Sequence, residues 1–199
     1  MHHQALLVTL LSIYALAIAA CTTTIRPPAN PVDPVSVFVI DYGRHSSLMI
    51  PRADDSGAPT ALREYAYGDW NWFARDRSGV LDILPTLFLP TRGTLGRWDW
   101  HIGADKENVK RFVHCEEILE LHIARRDATA LLAELDARYQ SHIDTQIESE
   151  LYQLRFVHHD QPYHLLNSCN LVLMRWLKTL DCDIEGWPIL ADFRIPDPL

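Results

Sequence analysis

Residues 167–180 read Asn-Ser-Cys-Asn-Leu-Val-Leu-Met-Arg-Trp-Leu-Lys-Thr-Leu, and the reading of this stretch decides how the rest of the chain is arranged. After Asn170 the strongly polar positions are Arg175, Lys178 and Thr179, spaced i, i+3 and i+4. Leu171, Val172, Leu173, Met174, Trp176, Leu177 and Leu180 cover the remaining circumference, which predicts a helix buried on most sides. Asn167 or Ser168 supplies the N-cap, and Lys178 sits near the C-terminal end, where a cation suits the helix dipole. Cys169 then falls in the first turn, where unpaired N–H groups and the positive dipole end favour thiolate over thiol. The same N–H groups are placed to receive a developing oxyanion. A free cysteine on an apolar helix is more often a small hydrophobe than a nucleophile, so the functional reading needs a base nearby.

Upstream, the β-branched run 35–40, Val-Ser-Val-Phe-Val-Ile, predicts a central strand, and Tyr42-Gly43-Arg44 a turn. His45 then opens a second strand that Pro51 stops. Residues 53–59, Ala-Asp-Asp-Ser-Gly-Ala-Pro, are strong turn chemistry, and residues 62–67 return as a hairpin partner. Glu64 and Asp69 sit towards either end of that returning segment. Further strands are expected at 96–102, 118–123, 151–157 and 189–195. Pro85 breaks the apolar run 80–89 into two short helical pieces or an irregular cover. Leu131, Leu135, Tyr139 and Ile143 recur every four residues and mark an amphipathic helix that Asp127 caps. A strand-rich half, a surface helix and a buried helix against the sheet make an α+β domain with an antiparallel sheet.

Residues 5–20 are an apolar run ending Ile18-Ala19-Ala20 before Cys21. That run is short for a spanning helix, and the small residues before Cys21 read as a cleavage site, so residues 1–20 are expected to be a signal peptide. The pattern resembles the lipobox of bacterial lipoproteins, in which the cysteine is lipidated and becomes the new N-terminus; here that is Cys21. With Thr22 rather than Asp following, the resemblance implies anchoring on the periplasmic side of the outer membrane. Residues 21–34, with prolines at 27, 28, 31 and 34, read as a lipidated tether, and 35–199 as a single domain. Lys and Arg number 18 against 26 Asp and Glu, a net charge of −8 with no basic run, which argues against nucleic acid as a partner. Besides Cys21 the chain holds Cys115, Cys169 and Cys182, allowing at most one bridge. A Cys115–Cys182 pair with Cys169 free and three reduced thiols are both compatible with the sequence. His158-His159-Asp160 with His164 and His114 or His122 lacks spacing that converges on one ion, and reads as a solvated loop rather than a zinc site.

A thiol nucleophile needs an imidazole to take and return its proton and a polar group to fix the ring. His45 fits the first role. For the second, register cannot choose between Glu64, with the turn centred on Asp54 and Asp55, and Asp69, with the turn centred on Gly57. The three motifs Gly43-Arg44-His45-Ser46-Ser47-Leu48, Glu64-Tyr65-Ala66-Tyr67-Gly68-Asp69 and Asn167-Ser168-Cys169-Asn170 together resemble the circularly permuted NlpC-like papain superfamily, which includes lecithin–retinol acyltransferase-type enzymes and bacterial lipoproteins. The resemblance spans about residues 35–180 and is similar in detail to an uncharacterised bacterial lipoprotein-type family. It implies a papain-like fold and a cysteine hydrolase or acyl transferase acting on amide, ester or thioester carbonyls. Cys169 attacks, His45 is general base and then acid, and Glu64 or Asp69 holds the ring. The Cys169 N–H, with a side chain such as Asn170 or Tyr42, stabilises the oxyanion. It implies peptidoglycan peptides or lipid acyl groups as substrates, no metal or other cofactor, and a monomer held to the membrane by its lipid. The competing expectation is an inactive envelope scaffold or ligand-binding lipoprotein.

Overall fold

Nine consecutive buried residues, Ala61–Asp69, form the strand around which the domain is built. The structure is a computed structural model that describes residues 22–43, 45–52, 61–77, 89–188 and 191–196. In chain order its strands are β1 (Thr23–Arg26), β2 (Pro34–Asp41), β3 (Ser46–Arg52), β4 (Ala61–Asp69), β5 (Gly93–Trp100), β6 (Glu117–Ala124), β7 (Ile147–Ser149), β8 (Leu154–His158), β9 (Asp183–Glu185) and β10 (Phe193–Arg194). The helices are α1 (Lys106–Phe112), α2 (Arg125–Gln140) and α3 (Cys169–Thr179), with a π-helical turn at Trp70–Ala74. Seven strands pair in the order β6-β2-β3-β4-β5-β8-β7, antiparallel throughout, so the α+β class with a large antiparallel sheet is observed.

Alternation along β2 and β3 sends side chains to two different cores. Val37, Val39, Leu48 and Ile50 face α2 and α3, where they meet Leu131, Leu135, Leu173 and Leu177. Phe38, Ile40 and Met49 face the other way, towards Val109 of α1 and Val113. The cysteine-bearing helix is therefore covered on its apolar sides, as its sequence demands, while Arg175, Lys178 and Thr179 stay on the outer stripe.

Several boundaries differ from the sequence expectation. The segment 22–34 is not a free tether along its whole length: β1 pairs with β9 and β10 in a second, three-stranded sheet, and Thr23 and Ile25 are fully buried. Thr23-Thr24-Ile25 is itself a β-branched run, and Ile25 fills the core while the strand pairs on both sides with β9 and β10. The prolines keep the segment after Arg26 out of the ladders. Asp127 does not cap α2; the helix begins two residues earlier, Ala124 is the cap position with no side-chain bond, and Asp127 lies in the first turn. The strands expected at 96–102 and 151–157 are shifted to β5 and β8. Of the strand expected at 189–195 only β10 is seen, residues 189 and 190 lying outside the described residues. Residues 1–21, which include the expected signal peptide and Cys21, and residues 80–88 of the Pro85 segment also lie outside them. Among the described residues no helix is long and apolar enough to cross a membrane.

Candidate active site

The hairpin of β3 and β4 aligns Leu48 with Tyr65 and Met49 with Glu64. Continued towards the turn at Tyr42, this register sets His45 level with Gly68, so neither Glu64 nor Asp69 is its direct cross-strand neighbour. Gly68 matters because of what lies over it. A Cβ there would sit 2.2 Å from the Phe73 ring, so only glycine lets Phe73 rest on the strand. Phe73 in turn packs on the His45 imidazole, ring centres 4.6 Å apart, and Tyr42 lies nearly parallel to it at 6.3 Å. His45 is buried, neither ring nitrogen has a hydrogen-bond partner among the described residues, and burial lowers its pKa to about 4. A neutral imidazole with free nitrogens is the form a general base requires at neutral pH.

At the start of α3 the Ser168 cap position makes no side-chain bond, which leaves first-turn N–H groups for another acceptor. The backbone N–H groups of Asn170, Ser46 and Cys169 and the Tyr163 hydroxyl each act to lower the pKa of the Cys169 thiol. The thiol also points at Asn170 Oδ1, 3.6 Å away. Ser46 follows His45 directly, and α3 packs on β3, so the cysteine and histidine segments are neighbours in the fold. The electrostatic expectation is nonetheless corrected in sign: burial raises the Cys169 thiol to about 11, more than the surrounding N–H groups lower it. At neutral pH the pair is thiol and neutral imidazole. Cys115 and Cys182 are also free thiols, both raised chiefly by burial, Cys182 to about 12.

The loop before α3 is held by Asn167. Its amide nitrogen donates to the Tyr67 hydroxyl at 2.9 Å and to the Pro162 carbonyl at 2.6 Å, and Arg175 reaches back along α3 to its oxygen. A buried residue one position before the cap thus ties β4, the loop and the helix together, and Tyr163 is carried on that loop beside the sulfur. Tyr163 was not singled out by its sequence context; no spacing or pattern distinguishes it, and only the folded loop brings it to Cys169.

The two carboxylates behave differently. Glu64 Oε1 accepts from the Tyr42 hydroxyl at 2.8 Å and from Ser47 Oγ at 2.5 Å, and Oε2 accepts from Trp100 Nε1 at 2.7 Å. Glu64 therefore does not hold the His45 ring, and the Tyr42 hydroxyl is committed to Glu64 rather than to an oxyanion. Asp69 accepts the Trp72 N–H at 2.7 Å with Oδ1 and caps the π-helical turn, but its Oδ2 is buried with no partner. Asp69 and Cys169 both bear electrostatically on the Tyr163 hydroxyl, whose pKa is raised, mainly by burial.

A cavity of about 710 Å³ opens over the α1 face of the sheet and ends at His45, Asp69 and Tyr163. Trp72, Phe73 and Trp100 form part of its wall. Cys169 does not line it; the sulfur lies behind Tyr163 and is 6% exposed as a residue. No protein-family model, curated protein sequence or solved structure matches the chain. The histidines of 158–164 do not converge: His158 packs on Trp70 at 4.2 Å and bonds Arg92, His159 packs edge-on to Tyr67 at 5.0 Å, and Asp160 pairs with His142.

Proposed function

We propose that the chain is an envelope lipoprotein of the permuted NlpC-like papain type, anchored by a lipid on Cys21, and that it cleaves or transfers acyl groups with Cys169. The observation that carries this reading is the packing of α3, which Cys169 opens, against β3, which follows His45, and β4, which ends at Asp69. His45 lines a cavity there and keeps both ring nitrogens free.

In the proposed reaction the Cys169 sulfur attacks an amide, ester or thioester carbonyl as His45, neutral at pH 7, takes the thiol proton. Formation of the sulfur–carbon bond, rather than a standing thiolate, drives the transfer. The new oxyanion accepts N–H groups from the first turn of α3, which the idle Ser168 side chain leaves available. Collapse expels the amine, alcohol or thiol with the proton returned by His45, leaving an acyl thioester on Cys169. Water or an amine then attacks that thioester and regenerates the thiol. Apo geometry of such sites is commonly loose and tightens with substrate, so a sulfur and an imidazole without a mutual bond are compatible with the role. A peptidoglycan peptide or a lipid acyl group is the substrate that an outer-membrane anchor brings within reach.

Incubation of the protein with a series of activated acyl esters and thioesters, followed by intact and peptide mass spectrometry, tests the reading. The expected result is one acyl adduct on Cys169, absent in Cys169→Ala and formed much more slowly in His45→Ala. Equal, sluggish modification of Cys115, Cys169 and Cys182 sinks it. A second reading has its own support: Cys169 stays out of the cavity lining and burial holds its thiol near 11, as in a ligand-binding lipoprotein without turnover. That reading predicts ligand uptake in the cavity with no adduct on Cys169.

A further inference from the structure

The cavity offers its ligand a markedly one-sided set of charges. Glu64, Asp69 and Glu116 line it together with His45 and His114, and among its described lining residues there is no Lys or Arg. Glu64 already accepts three hydrogen bonds from Tyr42, Ser47 and Trp100. Asp69 is different: it is 2% exposed, its Oδ1 is taken by the Trp72 N–H, and its Oδ2 has no partner. A buried acceptor without a donor carries a desolvation penalty that folding alone does not recover, and Asp69 is one of the residues that line the cavity, from which a donor can come. The aromatic side chains of Trp72 and Phe73, in the turn that Asp69 caps, favour a cation over an anion, because ring faces carry negative charge.

We infer that Asp69 Oδ2 is the subsite for a protonated amine of the ligand, so that the cavity selects acyl compounds carrying an ammonium group close to the carbonyl and rejects anionic ones. The closeness follows from the cavity lining, which Asp69 shares with His45 and Tyr163. An ammonium held on Asp69 therefore lies near the reacting carbonyl, as in an α-amino acyl group, rather than at the far end of a long chain. An aromatic or aliphatic side group then fills the wall formed by Trp72, Phe73 and Trp100. This assignment rests on the proposed chemistry for the identity of the carbonyl, and on the cavity alone for the ammonium. It gives Asp69 a role in recognition rather than in orienting His45.

Binding separates the two. With Cys169→Ala protein, so that nothing is turned over, L-phenylalaninamide and its uncharged counterpart 3-phenylpropanamide are titrated by calorimetry at pH 6.5. The ammonium compound is expected to bind at least ~10-fold tighter, the range of a charge-assisted hydrogen bond to a buried carboxylate. The preference is expected to vanish in Cys169→Ala/Asp69→Asn, whose amide oxygen still accepts the Trp72 N–H and keeps the turn. It is also expected to fade in the Asp69 protein above about pH 9, where an amine with an ordinary pKa of about 8 loses its proton. Equal binding of the two compounds, binding of neither, or a preference that survives Asp69→Asn overturns the inference. None of these results depends on whether Cys169 forms an adduct, so the acyl-transfer proposal stands or falls separately.

Discussion

The two ends of β4 hold buried polar side chains in opposite states. Near its start, Arg63 bonds Asp99 through Nε at 2.6 Å and Nη2 at 2.8 Å, and also pairs with Asp136 of α2. The Tyr65 hydroxyl donates to the same Asp136, and Arg97 approaches it at 3.5 Å. Every charge in that cluster is answered. At the other end, Asp69 Oδ2 and both nitrogens of His45 are buried without partners. Low dielectric makes paired groups strong and unpaired ones costly, so the first cluster serves the fold and the second is kept for an incoming ligand. Glu64, between them, belongs with the first: three donors satisfy it, and it supports the site only by fixing Tyr42 beside His45.

The contrast can be broken at either end. The largest effect is expected from His45→Ala, which should slow acylation of Cys169 by about 10²–10⁴-fold, the usual range for loss of a general base, while the protein stays folded. Stopped-flow acylation and thermal melts of the same variant check both halves. The second effect is a pH dependence of stability. His45 titrates at about 4 in the fold against about 6.5 when unfolded, so the unfolded chain binds the extra proton between these values. Stability is therefore full above about pH 6.5 and is lost as pH falls towards 4, by on the order of 3 kcal/mol from His45. Urea melts across pH 4–7 should show that slope, and His45→Gln should flatten it; a His45→Gln profile parallel to the original would assign the slope elsewhere. Burial likewise lowers His159 to about 4, so part of the slope should remain in that variant.

Arg63→Ala strikes the satisfied cluster. It should cost about 2 kcal/mol, less than the 3–5 typical of a fully buried pair because Asp99 and Asp136 keep roughly a third of their surface exposed. Its acylation rate per folded molecule should stay unchanged, and a rate loss larger than the folded fraction explains would join the two clusters after all. The smallest effect is expected from Gly68→Ala. The added methyl collides with Phe73 and must push it off the strand, at about 1 kcal/mol of stability. Because Phe73 packs on His45, the variant should also widen the pH response of Cys169 acylation, which a rate–pH profile measures.

Much of this was legible in residue order. The apolar circumference of residues 171–180 dictated a buried helix, and the alternation in 35–40 dictated an interior strand with two covered faces. The candidate pair His45 and Cys169 was legible too, because residue types and the elements they open carry the chemistry. The tether was misread because proline content masked the short β-branched run at Thr23-Thr24-Ile25, whose burial depends on β9 and β10 far along the chain. Register was beyond reach because both hairpin turns were chemically acceptable, and a shift of one residue moves each side chain to the opposite face.

Residue order by itself thus determined the central strands 35–40, 45–50 and 62–67 and the two longer helices, and which side chains are able to act as nucleophile and base, since these depend on local periodicity and intrinsic chemistry. Tertiary structure alone decided that the Cys169 thiol is raised rather than lowered, that Tyr163 joins it, and that Asp69 rather than Glu64 is left with a free oxygen. Desolvation and hydrogen-bond partnership are properties of what surrounds a group in space, and those neighbours come from segments a hundred or more residues away along the chain.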